Sequence, residues 1–383
     1  MGLILNDLKN ACELEHVCDY VNNRTTSSMN YISTENMLPN KGGISESTII
    51  PPGTTIEYKI GDILISNIRP YFQKIWCADR CGGCSADVLC IRAKENTDSK
   101  YLYYLLSQQA FFDYVMSGAK GCKMPRGDKK QIMQWPVNIP AIDVQKKVVA
   151  ILSSLDNKIR LNRRINDNLE EQAKALFNHY FIQNTENLGE WQDGVLTDIA
   201  QYLNGLAMQK YPAMPNEAGL PVLKIKELGQ GQCDTNSDRC SSLIKPEYII
   251  SDGTIIFSWS GTLLVDIWCG GKCGLNQHLF KVSSAKYPQW FVFYWTKHHL
   301  NKFIRIAKDK AVTMGHIKRC DLEISKVKIP SKQALVNLDK LFSPIFNRMV
   351  TCRIENRKLS SLRDTLLPKL MSGEISVEEV SLD

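Results

Sequence analysis

VVAILSSLDNKIRLNRRINDNLEEQAKALFNHYF (148–181) and LDKLFSPIFNRMVTCRIENRKLSSLRDTLLPKLM (338–371) carry the same pattern. In the first, Val148, Leu152, Leu155, Ile159, Asn162, Asn166, Leu169, Ala173, Leu176 and Tyr180 recur at alternating steps of four and three. In the second, Leu338, Phe342, Ile345, Met349, Cys352, Asn356, Leu359, Arg363, Leu366 and Leu370 fall on the same steps. That is the spacing of a heptad seam. Each stretch would reach roughly 50 Å at 1.5 Å per residue. Apolar stripes are usually ordinary core. Here the length, the strict register and the shared Asn argue instead for two helices that pack on each other. Asn166 and Asn356 are expected at equivalent seam positions, where a buried amide costs stability and fixes register.

The repeat extends upstream of both helices. PVNIP (136–140) answers KVKIP (326–330), and GDILISNIRPYFQKIWC (61–77) answers DGTIIFSWSGTLLVDIWC (252–269). SADVLCIRA (85–93) parallels NQHLFKVSS (276–284); LEHVCDY (14–20) parallels LTDIAQY (196–202); YISTENM (31–37) parallels VLKIKEL (222–228). Alternating Ile63, Ile65 and Ile255, Phe257 predict strands. YLYYLLSQQAFFDYV (101–115) and WFVFYWTKHHLNKFI (290–304) each predict one aromatic-rich helix. The chain thus reads as unit, long helix, unit, long helix: 1–142, 143–182, a polar linker at 183–193, 194–332 and 333–375. Short strands, one helix and many turn residues in each unit give an α+β class.

Composition bounds the function. The 383 residues are 44% apolar and 23% charged, ordinary for a globular protein, and no apolar run approaches a membrane span. MGLILNDLKN lacks the apolar core of an export signal, so a cytoplasmic protein with its thirteen cysteines as thiols is expected. A net charge of +7 suits an anionic partner. Cys77, Cys81, Cys84 and Cys90, with Cys269, Cys273 and His278 in the second unit, hint at structural zinc, but buried thiols are the default and no metal is assigned.

GAKGCKMPRGDKK (118–130) sets Lys120, Lys123, Arg126, Lys129 and Lys130 among glycines. KDKAVTMGHIKR (308–319) answers it with Lys308, Lys310, His316, Lys318 and Arg319. Both lie between the aromatic helix and the IP strand. A charge run is usually a solvated face. A doubled one at the same place points to phosphate or base-edge contact. Arg69, with Tyr71 and Gln73, and Ser260 with Thr262 are weaker candidates on the turns after the GDILIS strand and its counterpart.

IPAIDVQKKVVAILSSLDNKIRLNRRINDNLEEQAKALFNHYF (139–181) carries an IP…Q…LDxxI…N…LE…L pattern, and SSLRDTLLPKLMSGEI (360–375) closes the second long helix, whose KIPSKQALVNLDKLFSPIF departs from that pattern. By these residues the chain resembles the specificity subunits of bacterial type I restriction-modification systems. The resemblance implies two similar mixed target recognition domains joined by two long helices in an antiparallel coiled coil. Each domain would read one half of a split double-stranded DNA site, and the helices would act as a ruler. The partners implied are two methyltransferase subunits and the motor-nuclease subunits. Those would use S-adenosylmethionine, ATP and Mg; this chain would hold no cofactor and no catalytic centre.

The residues agree on catalysis. No Asn/Asp-Pro-Pro-aromatic loop is present, NIPA (138–141) being the nearest string, and no GxxxxGK[ST] cradle. Glu57 and Lys59 of EYK could start a nuclease site but lack an upstream Asp. Two other readings stay open: a coiled-coil adaptor without a DNA role, and a self-sufficient DNA modification enzyme.

Overall fold

The computed structural model describes residues 11–26, 30–47, 53–183, 191–309 and 315–380. The chain divides into two compact units, Met1–Asp156 with Ser361–Asp383, and Asn157–Ser360. Both long helices pass from one unit into the other.

The first unit is built on a four-stranded antiparallel sheet ordered Cys18–Val21, Val88–Ala93, Ile63–Ser66, Ile75–Cys77. The second repeats it as Gln201–Asn204, Leu279–Ser283, Thr254–Ser258, Leu264–Trp268. Period-two geometry explains the composition of the strands. Ile63, Ile65, Ile75, Leu89 and Ile91 face one core with the helices, while Leu64, Trp76, Val88 and Cys90 face another. Both faces are covered, so ILIS is buried throughout rather than alternating. In the second unit Ile255, Phe257, Val265 and Ile267 face the helices, and Ile256, Trp268 and Leu279 the opposite core.

A smaller sheet covers that opposite face: Arg24–Thr25, Thr55–Tyr58 and Gly82–Cys84 in the first unit. Its counterpart is Arg239–Cys240, Leu220–Leu223, Cys273–Leu275 and Ile249–Ile250. The IP strands close each unit. Pro136–Val137 pairs with Cys12–Glu13, and Lys326–Ile329 with Gln192–Val195. Each unit therefore ends beside its own beginning, just before a long helix.

The single aromatic helix expected in each unit is two. They span Ser99–Leu106 and Gln109–Ser117, then Gln289–His298 and Leu300–Asp309. Ser107 caps the first break, its hydroxyl donating to the Tyr103 carbonyl at 2.6 Å. His299 marks the second, its Nε2 2.8 Å from the Lys326 carbonyl oxygen. The break lets Phe111, Phe112 and Val115 turn back into the same core as Tyr101 and Leu105.

The long helices run Ile142–Phe177 and Lys332–Ser372, the first ending in a π-helical turn at Asn178–Gln183. They pair antiparallel. In the first unit Val148, Ile151 and Leu152 share a core with Leu367, Leu370 and Met371, and Arg363 meets Asp156 at 2.7 Å. In the second, Asn162 donates to Glu355 at 2.8 Å and to Asn356 at 3.1 Å.

Of the expected seam residues, Leu152, Leu155, Ile159, Asn162, Phe342 and Met349 are buried. Asn166, Leu169, Leu176, Ile345, Asn356, Leu359 and Leu366 are only half-buried. Beside three of these the buried position is one residue on, at Phe177, Phe346 and Leu367. A straight helix drifts about 20° per heptad against a 3.5 repeat. Each of those stretches also packs on a globular core rather than on a helix alone.

In the antiparallel pair Asn356 bonds Asn162, and Asn166 and Asn356 are both half-buried. The Asn166 Oδ1 is buried without a hydrogen-bond partner. Replacing Asn166 with Leu removes that desolvated carbonyl, and we expect about 1 kcal/mol of added stability. Chemical denaturation measures it; a loss of stability would mean the amide makes a bond the fold depends on.

Candidate nucleic-acid interface

In each unit two loops dock on each other by backbone hydrogen bonds. In the first, residues 118–128 form a small hairpin in which Lys120 and Arg126 exchange two bonds of 2.9 Å. The glycines are there for steric reasons. Gly121 sits at φ +99°, and a Cβ on Gly127 would lie 2.7 Å from Val115. The hairpin lies against the turn after strand Ile63–Ser66. Arg69 N–H donates to Pro125 O at 2.8 Å, Gly127 N–H to Asn67 O at 3.3 Å, and Ile68 bridges Arg126. The second unit repeats the docking. Gly261 N–H donates to Gly315 O at 3.1 Å, Ile317 N–H to Trp259 O at 3.2 Å, and Ser260 bridges His316.

Arg69 and Gly261 hold the same place, and both have left-handed backbone, φ 51° and +66°. An arginine there carries a strain that Gly261 avoids, on the order of 1 kcal/mol. The Arg69 Nε is buried with no hydrogen-bond partner.

The cations named from sequence differ in freedom. Lys120 lies 3.3 Å from Asp128, and Arg126 lies 3.1 Å from Asp87. Lys129 donates to the Tyr20 hydroxyl at 2.5 Å and sits 4.6 Å from its ring centroid. Asp128 caps the short helix Lys129–Met133; the Gln131 backbone N–H, then Lys120, hold its carboxyl below the usual range. Lys123 and Lys130 are exposed and have no ion pair among the described residues.

In the second unit Lys308 ends a helix and is exposed. Lys318 caps the helix Arg319–Glu323, its N–H donating to Asp321 at 2.7 Å. Arg319 lies 3.9 Å from Glu323. Lys310 lies outside the described residues.

Sequence reasoning missed the groups that surround these loops. Asp87 O accepts the Asn67 N–H at 2.9 Å, and His278 O accepts the Trp259 N–H at 3.3 Å, so Asp87 and His278 are structural counterparts. Trp259 donates from Nε1 to Asn204 at 2.9 Å, with rings 5.9 Å from His278 and 6.4 Å from His316. The repeat alignment already placed Asp87 opposite His278; only the long-range pairing was hidden.

The other groups flagged from sequence are the cysteines and the Glu57–Lys59 pair. Burial pushes the Cys84 thiol up to about 12 and Cys77 up to about 11, while Cys81 is exposed. Among the described residues, the His, Cys and carboxylate atoms close enough to share an ion are those of exposed Glu13, Glu15 and His16. Glu57 is on strand Thr55–Tyr58 and Lys59 beyond its end. No described helix is long and apolar enough to cross a membrane.

Residues 10–171 match the family of the type I restriction modification DNA specificity domain. The chain is 26% identical over 310 residues to the type I restriction enzyme MjaIX specificity subunit of Methanocaldococcus jannaschii, covering 75% of this chain and 71% of that one. It is 21% identical over 434 residues to the HindI specificity subunit of Haemophilus influenzae, covering 90% and 94%. The crystal structure of a type I restriction-modification S subunit from M. genitalium shares the fold, with a TM-score of 0.54, 15% identity, and 97% and 98% of the two chains covered. Residues 10–171 thus carry the specificity domain of that family, and most of the chain is similar to type I restriction-modification specificity subunits.

Proposed function

We propose that this chain is the non-catalytic DNA-reading subunit of a cytoplasmic type I restriction-modification complex. Each unit reads one part of a bipartite target through its docked loop pair. The two long helices set the gap between the parts and offer surfaces to two methyltransferase subunits and to the motor-nuclease subunits. S-adenosylmethionine, ATP and Mg belong to those partners. The observation that carries the reading is the loop pair, joined by the same backbone bonds in both units and rich in cations. Loops pinned by backbone bonds keep their side chains available for an external ligand. Arg69, Lys120, Lys123, Arg126, Lys129 and Lys130 in one unit, and Lys308, Lys310, His316, Lys318 and Arg319 in the other, are the proposed contacts.

Reversing Lys123 and Lys130 to Glu should weaken duplex binding by about tenfold or more near 0.15 M salt and flatten the salt dependence, since each phosphate contact contributes close to one unit of slope. Both are exposed, so the melting temperature should hold. Fluorescence anisotropy across a salt series measures it. Unchanged affinity would remove this loop from the DNA contact.

A further inference from the structure

The first unit's loop contains an arrangement that phosphate binding does not explain. Arg126 is clamped on both sides, by its exchange of bonds with Lys120 and by its bridge to Ile68. Asp87 is equally fixed: its N–H reaches the Ser85 hydroxyl at 3.2 Å and its carbonyl accepts Asn67 N–H. Their side chains meet at 3.1 Å although 57% and 39% exposed. An exposed pair of this kind adds little to stability. A carboxylate in a loop meant only for phosphate would also repel its ligand. A guanidinium drawn to a carboxylate through one Nη, as Arg126 is, keeps its remaining N–H groups free, and that planar fork matches the O6 and N7 acceptors of guanine. In the second unit the counterpart positions hold His278 and His316, so the two units differ in chemistry at one structural place.

We propose that Arg126 reads a guanine edge in the first unit's half-site and that Asp87 is its positioning residue. This rests on the loop pair being a DNA contact. Lys123, at the exposed tip of the hairpin, then serves the backbone without base preference.

The test uses the tagged full chain, isolated from its host with whatever it carries, and a randomised duplex library. Arg126→Gln and Asp87→Asn should each lose preference for G·C at one and the same position, by roughly tenfold or more. Asp87→Glu keeps the charge but moves it by a methylene; it should lose preference while overall affinity stays. Lys123→Gln should weaken all sequences alike. Melting curves confirm that each variant is folded. If Asp87→Asn and Asp87→Glu both keep the preference, and Asp87→Asn merely strengthens binding to every sequence, Asp87 is a repulsive bystander and the proposal fails while the loop remains a DNA contact. If the wild-type chain selects no sequence, or if neither Arg126→Gln nor Lys123→Gln changes anything, the reading of the loop itself fails.

Discussion

Phe342→Ala should cost the second unit about 3–5 kcal/mol, the range for deleting a large aromatic from a packed core. Phe342 is fully buried and stacks on Trp290 with centroids 4.2 Å apart and planes 11° from parallel. Phe181 and Tyr294 approach it at 6.4 and 6.0 Å. Trp290 is itself held, its Nε1 donating to Asp339 on the same long helix at 2.7 Å. Rigid neighbours cannot collapse into the space, so the cavity term is large. Calorimetry should show the second unit's transition falling by about 10 °C or more. A drop under about 1 kcal/mol would mean the ring is not enclosed as described.

Gln145→Leu should destabilise the first unit by about 2–3 kcal/mol, although leucine is nearly the same size. Gln145 is fully buried. Its Oε1 accepts the Asp98 N–H at 2.8 Å, and its Nε2 donates to the carbonyls of Asn96 at 3.1 Å and Pro140 at 2.9 Å. One amide thus ties the IP strand, the loop before the first aromatic helix and the start of the long helix. Leucine would leave those backbone groups unpaired, at about 1–3 kcal/mol for each that water cannot reach. The Asn96 end is near solvent, which limits the sum. Chemical denaturation checks this, with Gln145→Glu as a companion; an unchanged midpoint for the leucine variant would deny the amide its role. The second copy has Leu335 at the aligned position. There the long helix is held differently, by Arg357 in a two-pronged pair with Asp252 at 2.7 and 2.8 Å and by Arg353 with Asp266 at 2.7 Å.

Most of the fold was legible because it is local and written twice. The seam spacing, the alternating Ile63/Ile65 and Ile255/Phe257, and the IP strands are short-range patterns, and finding each of them twice fixed the order of elements. What remained hidden was tertiary. Nothing local splits the helix at Ser107 or at His299; only the need to return Phe111 and Phe303 to their cores does. The step from Leu176 to Phe177 and from Leu366 to Leu367 reflects what each helix packs against. Asn162 faces Asn356 because antiparallel register inverts one copy relative to the other, and the repeat spacing by itself does not set which layers meet. The cysteine spacing does not reveal their surroundings: Cys84 pairs with Ile56 in one sheet and Cys90 with Leu64 in another, each a small buried side chain. The basic loops could be found from charge. Their partners Asp87, Asn67 and Trp259 could not, since those meet the loops through contacts between residues far apart in sequence.

The central claim is that the two units read two parts of one DNA site at a separation set by the long helices. Adding one heptad after Asn166 and another after Thr351 keeps the Asn162–Asn356 layer and both seams in register. The pair lengthens by about 10 Å, roughly three base pairs of B-DNA. A heptad closes nearly two turns, so rotation between the added ends is small. Methylome sequencing of host cells carrying the lengthened gene should show the same two half-sites separated by about two to three further unspecified base pairs, by the same rise arithmetic. A folded variant that methylates with an unchanged gap would contradict the account.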